Sequence, residues 1–312
     1  MRVAGLEFVR WRVRWSGWRG LAFLAALAAG PAVQGLIFYS TGDPGYNTRP
    51  PKGALADSGW KWVGEWAGFQ GTVIGPHQFI AARHTGGRIG DPFFLHGVRF
   101  TTSAYSDDGE ADLRIWMVRG SFRSWAPLHR AQDEVGKGVV VIAGGVGRGA
   151  AVEVNGALRG WRWGGGAGRL RWGRNSVASI VEGGTGWGDL LFSLFSPSEG
   201  PNGADLAGGD SGGPVFIRGT KRWELAGVAL GVEGPFSATA AGDGFNAAIF
   251  DGRGLYLLDR YRRWQLISGL KAVPSGFYAT RISTRAAWID SVLSQPYRPV
   301  SPVLLPRPGR PQ

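Results

Sequence analysis

The chain has 312 residues and no cysteine, so it holds no disulfide, no thiol nucleophile and no thiolate metal site, and its fold rests on packing alone. Its four histidines are scattered without zinc-ligand spacing, and no cofactor is implied. The net charge of +12 favours acidic partners without naming one, and 53 glycines with 15 tryptophans point to many turns and bulky cores rather than helices.

Residues 1–32 carry Arg2, Arg10, Arg12, Arg14 and Arg19, followed by the apolar run Leu21-Ala22-Phe23-Leu24-Ala25-Ala26-Leu27-Ala28-Ala29. A basic front, a short apolar stretch and small residues after it read as a secretory signal, with cleavage expected after Ala28 or Ala32. The rival is an uncleaved anchor reaching Tyr39, but Gly30, Pro31, Gln34 and Gly35 interrupt it, and a span needs about 20 mostly apolar residues. The expected location is therefore secreted or periplasmic, with no stable membrane span after cleavage. Loss of five arginines and one glutamate would leave a net charge of +8. Residues 40–58, rich in Gly, Pro, Thr and Asp, read as a loose lead.

Short apolar runs separated by turn signals follow, the pattern of an all-β protein. Gln78-Phe79-Ile80-Ala81-Ala82 is an apolar strand that runs through Arg83 into His84, a candidate general base. His77 and His96 read as turn residues and His129 as a solvated one. Asp107-Asp108-Gly109-Glu110 reads as an exposed acidic turn. Asp112 instead opens Leu113-Arg114-Ile115-Trp116-Met117-Val118, a run of strand composition, and a carboxylate leading into a buried strand is placed to hold an imidazole. Asn155-Gly156, between Val152-Glu153-Val154 and Ala157-Leu158-Arg159, predicts a hairpin, because a type I′ turn needs positive φ at both positions.

Arginine and tryptophan interleave in Arg159-Gly160-Trp161-Arg162-Trp163 and in Arg169-Leu170-Arg171-Trp172-Gly173-Arg174. Such residues can stack on nucleic acid or sugars, but exposed Arg alternating with buried Trp along a strand is the preferred reading, and nucleic acid is disfavoured as a partner.

Gly209-Asp210-Ser211-Gly212-Gly213-Pro214 carries the chemistry. A serine hydroxyl attacks a carbonyl only with a base to take its proton and N–H groups to meet the oxyanion. Glycines on both sides permit the tight, open turn this needs, and Gly209 and Ser211 would supply the N–H groups. The stretch also contains Gly-x-Ser-x-Gly, but an α/β-hydrolase places its acid and histidine after the serine, and all four histidines here precede it.

The order His, Asp, Ser and the hexapeptide make the chain resemble the trypsin-like serine proteases over roughly residues 60–295. The His84 segment is similar to the family's histidine segment, although Arg83 stands where many members have alanine and no cysteine follows. The resemblance implies two packed antiparallel β-barrels with a C-terminal helix: residues 60–135 for the first, with His84 and Asp112, and 136–298 for the second, with Ser211. Residues 33–59 are a lead and 299–312 a Pro-rich tail.

Asp205 falls where the trypsin subgroup has the carboxylate of its primary pocket, which would favour Arg or Lys substrates, though a solvated loop aspartate fits its surroundings as well. Leu225-Ala226-Gly227-Val228-Ala229-Leu230-Gly231 resembles the following strand, and Gly276-Phe277-Tyr278-Ala279-Thr280-Arg281-Ile282 the final one. Residues 232–275 exceed the family's need and add a hairpin or loop, either beside the site or remote from it. Ser283 or Thr284 is expected to cap a helix with Trp288, Ile289, Val292 and Leu293 on one face, ended by Pro296.

Asp210 marks where animal trypsins seat a freed Ile or Val N-terminus. No comparable Ile-Val-Gly-Gly start precedes Trp60, so Asp210 is expected to find another partner, as in a bacterial type that folds active. The function expected is that of an exported serine endopeptidase with a protein or peptide substrate. Its alternatives are a serine esterase using the same site and a non-catalytic binding protein on a protease scaffold. Acidic surface polymers are a further candidate partner.

Overall fold

The computed structural model describes residues 35–165 and 168–296. The signal expected in 1–32 and the Pro-rich tail 299–312 lie outside the described residues.

The first half closes into a six-stranded antiparallel barrel, running Val63–Trp66, Phe69–Val73, Gln78–Ala82, Leu113–Arg119, Val98–Asp107, Pro92–Leu95 and back to the first. Aromatic rings fill it: Phe79 stacks on Phe93 at 4.0 Å between centroids, and Trp66 lies 4.5 Å from Trp116. Each such buried side chain contributes about 1.5–3 kcal/mol or more of apolar transfer free energy, which lets the core hold without a covalent staple.

The second half is a seven-stranded antiparallel sheet in the order Arg171–Ser176, Gly138–Ala143, Pro214–Arg218, Trp223–Val232, Gly276–Arg281, Asp189–Leu194, Ser179–Glu182. Its two outermost strands are consecutive in the chain, joined only by Val177 and Ala178, so the sheet curls round on itself. Asn175 Nδ2, on one edge strand, donates at 3.0 Å to Leu194 O on the strand beside the other edge. The all-β class with a short C-terminal helix is borne out.

The period-2 alternation of strands explains how the halves adhere. In Gly138–Ala143, Val139, Val141 and Ala143 face the core of the second half, while Val140 and Ile142 join a cluster shared with the first barrel. Pro214–Arg218 behaves likewise, with Val215 and Ile217 inward and Phe216 across the junction. A strand buried on both faces must be apolar without interruption, and these runs are.

Asn155 and Gly156 have φ of 52° and 74°, and Val154 pairs with Ala157, the hairpin the dipeptide predicts. The helix is Ala286–Leu293 with Ile289 and Val292 buried, but Ser283 does not cap it. The Ser283 hydroxyl donates instead to Glu134 at 2.6 Å, beside the buried Arg281–Glu134 ion pair, because a buried carboxylate demands every available donor. Residues 232–275 add a small sheet of Phe236–Ser237, Tyr256–Leu258 and Trp264–Leu266, and a strand, Ala247–Ile249, that extends the Arg148–Val154/Ala157–Trp163 hairpin.

Three expectations need correction. The lead is not loose: within 40–58 the buried Arg171 guanidinium donates to Tyr46 O and Asp43 O, and Trp172 Nε1 donates to Arg49 O at 2.9 Å, while just before it Leu36, Ile37 and Phe38 are fully buried and Arg171 also donates to Gly35 O. His129 is buried rather than solvated, its Nδ1 2.9 Å from Glu224 and its Nε2 3.0 Å from Asp133. Asp108, expected in an exposed turn, is fully buried and paired in a bidentate fashion with Arg285.

Candidate active site

The ladder between Gln78–Ala82 and Leu113–Arg119 puts Ala82 opposite Leu113. Because the strands are antiparallel, the residues just after Ala82 meet those just before Leu113, and His84 reaches Asp112 across 28 positions of sequence. His84 lies on the single 3-10 turn Arg83–Thr85, fixed by Arg83 N–H donating to Asp112 O at 3.2 Å and by Thr85 Oγ1 donating to Ala82 O at 2.7 Å. Asp112 is 2% exposed. One of its oxygens accepts the His84 backbone N–H at 2.9 Å, and the other lies 2.5 Å from His84 Nδ1. The carboxylate thus holds both the ring and the backbone of the same histidine.

On the opposite side of the ring, His84 Nε2 lies 2.9 Å from Ser211 Oγ. The contact spans the two halves, and Gly212 is what allows it. Its φ is +79°, and a Cβ there would come within 2.3 Å of Gln70 O in the first barrel. Gly212 N–H donates to Ala229 O and Ala229 N–H to Gly213 O, which clamps the turn to the neighbouring strand. Among the described residues, neither the Gly209 nor the Ser211 N–H donates to a protein acceptor.

Asp210, next to Ser211, is buried and finds the partner that the sequence left open. Its oxygens accept from Gly145 N at 2.6 Å and Ala207 N at 2.8 Å, with the Leu36 N–H beside them. Burial pushes its carboxyl up to about 7, against the pull of these donors and of the Arg171 charge. The lead segment thus takes part in holding the turn that carries Ser211.

Asp205 is 1% exposed and paired in register with Ile37. One oxygen accepts the Leu206 N–H at 2.9 Å, and the Ser275 hydroxyl lies close enough to the carboxyl to favour its charged form. Burial raises its carboxyl well above the usual range, and the Glu233 and Asp210 charges raise it further. It is not a solvated loop aspartate. Glu233, pushed up to about 7 by burial, accepts from Tyr278 Oη at 3.4 Å.

Two arginines that the motifs did not single out brace the site. Arg83 donates to Asp108 O at 2.9 Å and to Gly186 O at 3.3 Å, linking the two halves immediately before His84. Arg285, at the start of the helix, grips Asp108 with two bonds of 2.7 Å and also meets Glu110, so it fixes the loop that ends at Asp112. Sequence spacing offers no signal for a pair 177 residues apart. The arginine where the family often has alanine was the only hint of the first.

Neither a family model nor a curated protein matches the chain. Solved structures similar to it are trypsin-like serine proteases and a relative of them. Human heparin binding protein, as a mutant, is 17% identical over 80% of this chain and 96% of its own, with a TM-score of 0.49. Neuropsin, a serine protease of mouse brain, is 13% identical over 76% and 96%, with a TM-score of 0.46. The Rv3671c protein of M. tuberculosis, in an inactive form, is 14% identical over 80% and 98%, with a TM-score of 0.43.

Proposed function

We propose that the protein is a serine endopeptidase. The observation that carries the reading is the His84 ring, 2.5 Å from the buried Asp112 on one nitrogen and 2.9 Å from Ser211 Oγ on the other. Asp112 holds the tautomer with the proton on Nδ1, which leaves Nε2 as an acceptor for the serine proton.

In the proposed reaction, Ser211 Oγ bonds to the substrate carbonyl carbon as its proton passes to His84 Nε2. The carbonyl oxygen gains the displaced electron pair and is met by the Gly209 and Ser211 N–H groups. The imidazolium is stabilised by Asp112. It returns its proton to the leaving amine as the C–N bond breaks, leaving an acyl-enzyme, and a water activated by the same imidazole then releases the acid.

Asp205, with Glu233 near it, makes arginine or lysine the favoured residue before the cleaved bond, since an incoming cation would offset the mutual repulsion of these buried acids. Export follows from the amino-terminal composition, and no helix of the described residues is long and apolar enough to cross a membrane.

Turnover of matched peptide and ester substrates carrying arginine, leucine or glutamate tests the reading, with Ser211→Ala as control. Hydrolysis of both arginine substrates, lost in the variant, is the expected result. Ester turnover alone would make the protein an esterase, and no turnover of any substrate by the folded wild type would overturn the proposal.

A further inference from the structure

Of the interleaved arginines in the sequence, Arg162, Arg169 and Arg174 stay exposed while Arg171 is buried, so the expected alternation of exposed Arg with buried Trp holds only in part. Arg159 pairs with Asp251, Arg162 lies over the Phe245 ring at 4.0 Å, and Arg171 is buried against the lead carbonyls. Three further exposed cations sit together on the hairpin between Pro214–Arg218 and Trp223–Val232.

There Arg218, Lys221 and Arg222 are all exposed, and among the described residues none has a carboxylate within ion-pair distance. With Lys61, Trp125 and Trp223 they line a groove of about 560 Å³. The two nearby carboxylates are already engaged: Asp57 lies 3.2 Å from Lys61, and Glu224 is held by His129. Trp125 is 44% exposed, a large apolar ring left in water beside cations. The Pro214–Arg218 strand begins three residues after Ser211 and carries the hairpin about 13 Å further on, about four extended residues away from the serine.

We propose that this groove binds an acidic polysaccharide, a chain of carboxylate-bearing sugars, at a site separate from the candidate active site. Guanidinium forks and a lysine point charge fit carboxylates spaced along a polymer. The exposed indole offers an apolar platform for one sugar ring. Single-stranded nucleic acid would want several exposed rings in succession for its bases, and here Trp125 alone presents that much surface, Trp223 being buried at 6%. The site does not depend on Ser211 being a nucleophile.

The test is a tryptophan-fluorescence titration of the full chain with a galacturonate hexamer, against neutral dextran oligomers, an oligothymidylate and hexaglutamate. Binding of the galacturonate that weakens with salt is expected, unchanged in Ser211→Ala, at least tenfold weaker in Arg218→Gln/Lys221→Gln/Arg222→Gln, and several-fold weaker in Trp125→Ala with the same salt dependence. Lys221→Glu, a single change on an exposed turn, serves as the second variant if the triple one unfolds at lower temperature, and a loss of at least fivefold is expected. No saturable binding, equal binding of dextran, equal or tighter binding of the oligothymidylate or hexaglutamate, or undiminished binding by the cation variants would overturn the proposal.

Discussion

Removing the Arg285 side chain should damage the candidate site from a distance. Arg285 gives two 2.7 Å bonds to Asp108, which is fully buried, and a third to Glu110. Arg285→Ala leaves the Asp108 carboxylate without its counter-charge, retaining only the Glu110 N–H at 2.9 Å. Breaking a buried pair by deleting one partner costs about 3–5 kcal/mol. At about 2–4 °C per kcal/mol for a domain of this size, the unfolding midpoint should fall by roughly 6–20 °C. The loop from Asp107 to Asp112 loses its anchor, so the His84–Asp112 contact loosens and turnover at a temperature where the variant is still folded should drop by about tenfold or more. Asp108→Asn added to Arg285→Ala removes the orphaned charge while keeping an oxygen for the Glu110 N–H, and should recover at least half of the lost stability. Calorimetry and ester turnover on the two variants and the wild type provide the assay. A midpoint within about 1 °C of wild type for Arg285→Ala, or no recovery in the double variant, would refute the reasoning.

Asp112→Asn should lower kcat by about 10⁴ with little change in stability, because an amide donor facing Nδ1 forces the proton onto Nε2, and a pre-steady-state acylation rate within tenfold of wild type would contradict it. Gly212→Ala should either unfold the protein or abolish turnover, since its Cβ would meet Gln70 O at 2.3 Å and the backbone has φ of +79°; an active, equally stable variant, read by activity and thermal melting, would count against the close approach of the two halves. Glu233 is raised to about 7, so the folded protein keeps a proton that the unfolded chain releases near 4.5. Its contribution is full below about pH 4 and is lost as pH rises through 7, by at most about 3 kcal/mol. Urea unfolding at pH 5 and pH 8 should therefore show a smaller loss for Glu233→Gln than for the wild type, and equal losses would exclude a proton held on Glu233.

The parts of the fold legible in sequence are those written in local pattern. Asn155-Gly156 specifies its turn through φ, the run from Leu113 specifies its strand through composition, and the glycines around Ser211 specify a tight turn whatever surrounds it. His84, Asp112 and Ser211 are legible because strand and turn signals in their segments combine with a resemblance to the trypsin-like pattern, and the structure brings those three side chains into one chain of contacts. What could not be read depends on distant partners. His129 looks like a surface residue until Glu224 arrives from 95 positions away, and Asp108 looks like a turn residue until Arg285 reaches it. The lead reads as loose in sequence because its anchor is not a side chain of its own but Arg171, which binds carbonyl oxygens that every residue possesses. Ser283 failed as a cap for the same reason, since Glu134 competes for its hydroxyl from another part of the chain.

The central claim is that Ser211 is a nucleophile activated by His84. Fluorophosphonate labelling of the purified protein beside Ser211→Ala and His84→Ala, read by mass spectrometry of the modified peptide, tests it most directly. The account predicts one label, on Ser211, absent from both variants. Folded wild-type protein that takes no label, or a label that persists in Ser211→Ala, would contradict it.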